Sequence, residues 1–211
     1  MSLIYSPSIK TKKPTSSTQK IDIIPIIVQL VELFLIFILC TKFDGTTAIF
    51  IAGLCAFFTI FFVYGLKFIK GTKRIFASPR RIAKIFLFTI ILFAFALLFK
   101  FLVPAGDNTE DLSSYPLPFQ IMLFIEAVIF APVVEEMTDR YSLSTIIKNK
   151  YLFVFVSGLL FALFHIRLDL YFFYYLILGC SLAIIYLTNR KNAVVTILIH
   201  SLLNLATFFI P

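Results

Sequence analysis

The chain has 211 residues, of which 60% are hydrophobic and only 14% are charged. A soluble domain of this size carries about a quarter charged residues, so the composition excludes an ordinary soluble fold and indicates one membrane-embedded domain. The net charge of +8 does not indicate a nucleic-acid-binding protein, because the basic residues lie in short segments between apolar runs and do not alternate with aromatic residues.

The first 20 residues are rich in Ser, Thr, Lys and Pro and predict a disordered basic cytoplasmic tail. A long apolar segment follows this tail, whereas a signal peptide would have a short apolar core and a small-residue cleavage site. We therefore expect no cleaved signal peptide.

Seven apolar segments follow the tail. Their length, Leu and Phe content and all-round hydrophobicity predict helices, whereas a membrane barrel would alternate polar and apolar residues over strands of about ten residues. The fold class is therefore predicted to be all-α, a polytopic transmembrane bundle of about seven spans. The segments lie near residues 23–40, 46–66, 85–103, 119–137, 151–166, 170–187 and 193–209.

The basic residues predict the orientation of the bundle. All but three of the 19 lysines and arginines precede the first span or lie in alternate connections, and the largest group fills the predicted loop 67–84. By the positive-inside rule this end faces the cytoplasm, so we expect a multi-pass protein of the cell membrane with a cytoplasmic N-terminus and an external C-terminus. The acidic segment 107–111 then lies outside.

The fourth apolar segment contains two adjacent acids, Glu135 and Glu136, followed by Arg140. Ionisable side chains at membrane depth are costly unless paired or hydrated, so by default they indicate a function. Glu136 and Arg140 are four residues apart on a helix and are expected to pair. Pro132 has no N–H and should free the carbonyl of Val128, which would open a polar pocket beside Glu135.

The only two histidines of the chain, His165 and His200, also lie in apolar helical segments. Phe161 shares a helical face with His165, and Asn204 shares one with His200, because each pair is four residues apart. At about 1.5 Å rise per residue, Glu135 and the two histidines reach similar depths in the cytoplasmic half of the bilayer.

These side chains suit the hydrolysis of an amide by an activated water. A carboxylate in an apolar pocket can take a proton from water, and a neutral imidazole can hold that water or receive the proton. A second imidazole and an amide can donate hydrogen bonds to the oxyanion that forms when a carbonyl becomes tetrahedral.

The three motifs resemble the CAAX protease and bacteriocin-processing family, also called CPBP or Abi. Its pattern is Glu-Glu-x-x-x-Arg, Phe-x-x-x-His and His-x-x-x-Asn on successive core helices. The chain has these in order as 135–140, 161–165 and 200–204. The resemblance divides the chain into the tail 1–20, three N-terminal helices in 21–118, and a CPBP-like catalytic core in 119–211.

The resemblance also implies a role for each motif residue. Glu135 is expected to be the general base, and His165 is expected to hold the attacking water. His200 and Asn204 are expected to donate hydrogen bonds to the oxyanion. The expected supporting residues are Glu136, Arg140 and Phe161. Tyr141 follows Arg140 where many members have Gly, so the close packing that glycine allows is not expected there.

One question about the chemistry stays open, namely whether a metal takes part. Glu135, His165 and His200 would supply the ligands of a catalytic zinc site, but no His-Glu-x-x-His pair is present and the resemblance favours a metal-free mechanism. We therefore expect no cofactor, with a divalent metal such as zinc as the alternative. Glu32 and Glu126 also lie in spans. We expect Glu126 to contact another helix or water and not the substrate, and we expect Glu32, one turn from Gln29, to have a structural role.

The functional prediction is an intramembrane endopeptidase that cleaves a membrane-embedded or lipidated protein or peptide, with the lipid bilayer as its surroundings and no nucleic acid as a partner. One alternative is a non-proteolytic bacteriocin immunity or binding protein of the same family. A second alternative is a small transporter or proton-relay protein, since intramembrane carboxylates and histidines also form proton paths.

Overall fold

The structure is a computed structural model that describes residues 20–103, 115–165 and 169–208. The predicted tail up to residue 19, the acidic segment 107–111 and Arg167 lie outside the described residues. Within them the chain forms seven helices and no strand, as the sequence predicts. The helices are α1 (Ile24–Leu39), α2 (Gly45–Phe76), α3 (Pro79–Leu102), α4 (Leu117–Ile146), α5 (Lys150–Phe164), α6 (Leu170–Thr188) and α7 (Ala193–Phe208).

Four of these helices, α2, α3, α4 and α6, are long and apolar enough to cross a membrane. The other three are apolar but have only 15 or 16 residues. At about 1.5 Å per residue they are shorter than the roughly 30 Å hydrocarbon core. The chain is therefore a polytopic helical bundle in which α5 and α7, which carry the histidine motifs, are short helices.

The segment 67–84, predicted to be a loop, is almost entirely helical. Helix α2 continues to Phe76, and α3 begins at Pro79 after only two residues. Lysine and arginine are good helix formers, and Lys73 and Arg74 in the last turn of α2 interact favourably with the helix dipole. Proline suits the first turn of a helix, so α3 begins at Pro79 and not at the first apolar run.

Helix α4 changes its hydrogen-bonding register twice. Residues Glu126–Phe130 and Met137–Ser142 are π-helical, and the α-helical segment Ala131–Glu136 lies between them. Each π-turn widens the helix and rotates the residues that follow it, and such turns occur frequently at functional sites. Both glutamates of the first motif therefore lie at the end of a short α-helical segment bounded by two π-turns.

Tyr141 packs towards α1 and α2, which explains how the chain accommodates it where glycine is common. Its hydroxyl donates to Oδ2 of Asp22 at 2.9 Å, and Tyr64 of α2 donates to Oδ1 at 2.6 Å. Lys67 lies 3.6 Å from the same carboxylate. Partial burial favours the neutral acid, but these two hydroxyls and the Lys67 charge outweigh it and lower the pKa of Asp22, which precedes the first span. Asp22 therefore ties the start of α1 to α2 and α4.

Helices α5 and α6 approach closely at two glycines. A Cβ atom added to Gly179 would lie 2.9 Å from Cα of Gly158 and 2.9 Å from Cβ of Phe161. A Cβ atom added to Gly158 would lie 2.9 Å from the backbone nitrogen of Cys180. Small residues at such crossings let two backbones pack directly in membrane proteins. The contact also fixes Phe161, which belongs to the second motif.

Replacing Gly179 with alanine is expected to destabilise the protein by about 1–3 kcal/mol, because the backbone of α5 must move to admit the methyl group. The matched control is Gly65→Ala, since nothing lies within 4 Å of a Cβ atom at Gly65 in α2. That change should be neutral or stabilising by up to about 1 kcal/mol, because alanine is the better helix former. Unfolding in mixed detergent micelles measures both values, and equal effects would contradict a backbone contact at Gly179.

Candidate active site

Arg140 is completely buried and contacts two acids. Its Nε lies 3.3 Å from Oε2 of Glu136, and its Nη1 donates to Oδ2 of Asp139 at 3.1 Å. Nη2 donates to the carbonyl of Gly179 at 3.4 Å, and the guanidinium lies 4.9 Å from the centre of the Phe161 ring. The predicted pairing of Glu136 and Arg140 is therefore confirmed. Arg140 also joins α4 to both α5 and α6.

Asp139 is a further buried acid beside Arg140, and no motif of the sequence contains it as a functional residue. This carboxylate is fully buried beside Arg140, and its main-chain carbonyl accepts a 2.7 Å hydrogen bond from the hydroxyl of Ser157 in α5. The sequence does indicate this position, because Asp139 directly precedes Arg140 in an apolar segment. A second acid there can also pair with the buried guanidinium.

His200 of α7 lies between the two glutamates of α4. Its Nδ1 is 3.1 Å from Oε1 of Glu136, and its Nε2 is 3.9 Å from Oε2 of Glu135. The two acids have different surroundings, since the Glu135 side chain is 19% exposed and the Glu136 side chain is fully buried. The first and third motifs therefore meet in space, and Glu135 is the acid whose side chain is partly exposed.

His165 lies at the end of α5 and is held by aromatic rings. Its Nδ1 is 2.7 Å from the carbonyl of Phe161, and its ring stacks on Tyr175 of α6 with the centroids 3.9 Å apart. The Phe161 ring contacts both imidazoles, with centroids 4.5 Å from His165 and 5.4 Å from His200. The predicted packing of Phe161 beneath His165 is confirmed. The sequence analysis did not identify Tyr175, because an aromatic-rich stretch is typical of a membrane interface.

Asn204 donates a hydrogen bond to a carbonyl of α4 that the first π-turn leaves without a backbone donor. The N–H of Ala131 donates to the carbonyl of Glu126, five residues earlier, so the next bond in this register would join residue 132 to Ala127. Pro132 has no N–H, and Nδ2 of Asn204 donates to that Ala127 carbonyl at 2.8 Å instead. The sequence analysis expected Val128 to lose its partner. The π-turn moves the effect by one residue, and Asn204 ties α7 to α4.

Comparison with known families identifies this part of the chain. Residues 117–206 match the family model described as type II CAAX prenyl endopeptidase Rce1-like. This segment is therefore similar to the CAAX protease family. The match covers a little under half of the chain, from the first residue of α4 to just beyond Asn204, and so contains all three motifs. Comparison with curated proteins and with solved structures gives no match.

The CAAX-protease segment does not bring the proposed metal ligands into a metal-binding arrangement. Among the residues that the structure describes, no group of three His, Cys, Asp or Glu side chains could hold a metal ion. Nδ1 of each histidine faces an oxygen, of Phe161 for His165 and of Glu136 for His200, so a metal would have to bind through the Nε2 atoms. In the described residues Glu135, His165 and His200 therefore do not form a ready-made cluster of three metal ligands.

Glu126 lies in the same segment but turns away from the motifs. A Cβ atom at Gly53 of α2 would overlap its carboxyl group, so that group packs directly on the α2 backbone. Glu126 therefore contacts another helix, as expected from the sequence. Glu32 is also buried, on the same face of α1 as Gln29. Glu126 provides an intramembrane acid outside the candidate site for comparison with Glu135.

Proposed function

We propose that the protein is an intramembrane endopeptidase that hydrolyses a peptide bond of a membrane-embedded or lipidated protein or peptide near the cytoplasmic face. The CAAX-protease segment implies a peptidase. The observation that carries the proposal is the placement of Glu135, which is partly exposed and 3.9 Å from Nε2 of His200, beside a fully buried Glu136.

The two glutamates have different roles in this proposal. Glu136 is held by Arg140 and His200 and has no exposed surface, so it orients the His200 ring and does not meet the substrate. Glu135 is partly exposed and takes a proton from a water molecule in this proposal. The water oxygen then attacks the carbonyl carbon of the peptide bond.

The imidazoles and the amide complete the reaction. A carbonyl oxygen only accepts hydrogen bonds, so Nδ1 of His165 donates to Phe161 and its Nε2 is free to accept one from the attacking water. In its imidazolium form His200 donates from Nδ1 to Glu136 and from Nε2, which faces Glu135, to the oxyanion. The second N–H of the Asn204 amide also donates to the oxyanion. When the C–N bond breaks, the proton on Glu135 passes to the leaving nitrogen.

The proposal is tested with wild-type protein in proteoliposomes that contain a library of membrane-anchored peptides, some with a transmembrane segment and some with a lipidated cysteine. Mass spectrometry of the peptides should show new termini close to one membrane boundary. If all peptides stay intact while the protein remains folded, endopeptidase activity on both substrate types is contradicted, and the immunity or binding alternative gains support.

Cleavage is expected to persist after incubation with EDTA or dipicolinate, because the proposed base, Glu135, activates water directly. The rate of product formation in the proteoliposomes, with and without each chelator, measures this. Complete loss of cleavage that added zinc restores would contradict the metal-free mechanism and leave endopeptidase activity itself intact.

A further inference from the structure

A basic cavity lies at the end of the bundle where the α2–α3 and α6–α7 turns meet. It has a volume of about 530 Å³. Five cationic side chains line it: Arg74, Arg80, Arg81, Lys84 and Arg190. Among the residues that the structure describes, none of the five forms an ion pair with an acid. Like charges gathered around one cavity repel each other, and an anion bound there would reduce this repulsion.

Hydrogen-bond donors that suit a phosphate group also line this cavity. Ser78 is the N-cap residue of α3, and its hydroxyl makes no capping bond there. The N-terminus of a long helix carries partial positive charge, which favours phosphate. At the start of α3 this contribution comes mainly from the helix dipole, because Pro79 has no N–H and the N–H of Arg81 donates to the carbonyl of Ser78 at 2.9 Å. Arginine matches phosphate oxygens with paired N–H donors. The N-terminus of α3, the Ser78 hydroxyl and several guanidinium groups therefore line the same cavity.

The turn that carries Arg190 into the cavity has a strained backbone. Arg190 and Lys191 adopt left-handed conformations with φ of 57° and 55°. Two consecutive residues with side chains seldom adopt this conformation, and strain of this kind occurs often at ligand sites. The turn is also fixed to α2, because Nδ2 of Asn192 donates to the carbonyl of Gly71 at 3.2 Å.

We propose that this cavity binds the phosphate group of an anionic ligand, a chemistry shared by phospholipid headgroups and soluble phosphates. The cavity lies at the ends of two membrane-length helices, α2 and α3, which is where a headgroup phosphate is found. The site is separate from the candidate active site, and the proposal does not depend on peptidase activity.

The test compares two triple variants with the wild type. The first, Arg80→Gln with Lys84→Gln and Arg190→Gln, removes three charges from the cavity. The control, Lys73→Gln with Lys148→Gln and Lys150→Gln, removes three exposed charges that do not line it. Binding of phosphatidylglycerol is measured by native mass spectrometry and in phosphatidylcholine nanodiscs with and without phosphatidylglycerol. Inorganic phosphate and pyrophosphate are measured by thermal shift in neutral detergent.

We expect the cavity variant to bind phosphatidylglycerol at least about tenfold more weakly, with the control close to wild type. Selective binding of phosphatidylglycerol supports a lipid headgroup as the ligand. Stabilisation by inorganic phosphate or pyrophosphate that is lost only in the cavity variant, without a preference for phosphatidylglycerol, supports a soluble phosphate. Equal losses in both variants, or no binding to the wild type, would overturn the proposal.

A second pair of variants separates binding from backbone strain. Arg190→Gly and Lys191→Gly each replace a left-handed residue with the one that adopts this conformation without strain, so both should raise the thermal unfolding midpoint. Only Arg190 lines the basic cavity, so only Arg190→Gly should weaken binding of the anionic probe. Unchanged binding in Arg190→Gly would contradict a role for this strained turn in holding phosphate.

Discussion

Replacing Arg140 with alanine is expected to lower the free energy of unfolding by about 3–5 kcal/mol, because it leaves buried carboxylates without their partner. Glu136 and Asp139 both have fully buried side chains, and Arg140 lies 3.3 Å from one and 3.1 Å from the other. The change also removes the hydrogen bond to Gly179 that joins α4 to α6. Unfolding by SDS in mixed micelles measures the loss.

The control for this prediction is Arg80→Ala, which removes an exposed arginine. That change should alter stability by less than about 0.5 kcal/mol in neutral detergent. Adding Asp139→Asn to Arg140→Ala should recover part of the loss, because the double variant no longer buries a second unpaired charge. A loss below about 1 kcal/mol for Arg140→Ala would show that the neighbouring acids carry no uncompensated charge.

Replacing Glu135 with glutamine is expected to slow peptide-bond cleavage by about 10²–10⁴-fold, because the amide cannot take a proton from water. Glutamine has nearly the same shape and Glu135 is partly exposed, so stability should change by less than about 1 kcal/mol. The rate constant for cleavage of a peptide from the membrane-anchored library measures the first effect. Detergent unfolding measures the second.

The matched control is Glu126→Gln, which changes an intramembrane acid that packs against Gly53 and not against the histidines. Cleavage by this variant should stay within about threefold of wild type if the effect of Glu135 is chemical and not a general result of removing an acid. Equal slowing by the two changes would contradict the role of Glu135 as the base.

The seven helices and the spacing of the motifs could be predicted because both depend on local sequence. Long apolar segments form helices in a bilayer, and a four-residue separation places Glu136 beside Arg140 in any α-helix. The end of α2 is harder to predict from the sequence, because the apolar segment ends near Lys67 whereas the helix continues to Phe76. Hydropathy locates the part of a helix within the membrane, and it does not locate the end of the helix.

The details of the site depend on contacts between distant residues. The π-turn before Pro132 and the bond from Asn204 to Ala127 stabilise each other, and these residues are far apart in the chain. The stacking of Tyr175 on His165 likewise requires the close crossing at Gly158 and Gly179. The burial of Asp139 cannot be predicted from the motif, because Glu136 and Arg140 together carry no net charge and so give no reason to expect a second buried acid. Its burial became evident only from the packing of α5 on α4.

In the proposed mechanism Glu135 activates the water that hydrolyses peptide bonds in the membrane. This role is tested most directly by comparing protein termini in membranes from cells that carry equal amounts of wild-type or Glu135→Ala protein. We expect new termini with the wild type that are missing with the variant, and these would also reveal the substrate. Identical termini in the two membranes, with a variant that is shown to be folded, would contradict this role.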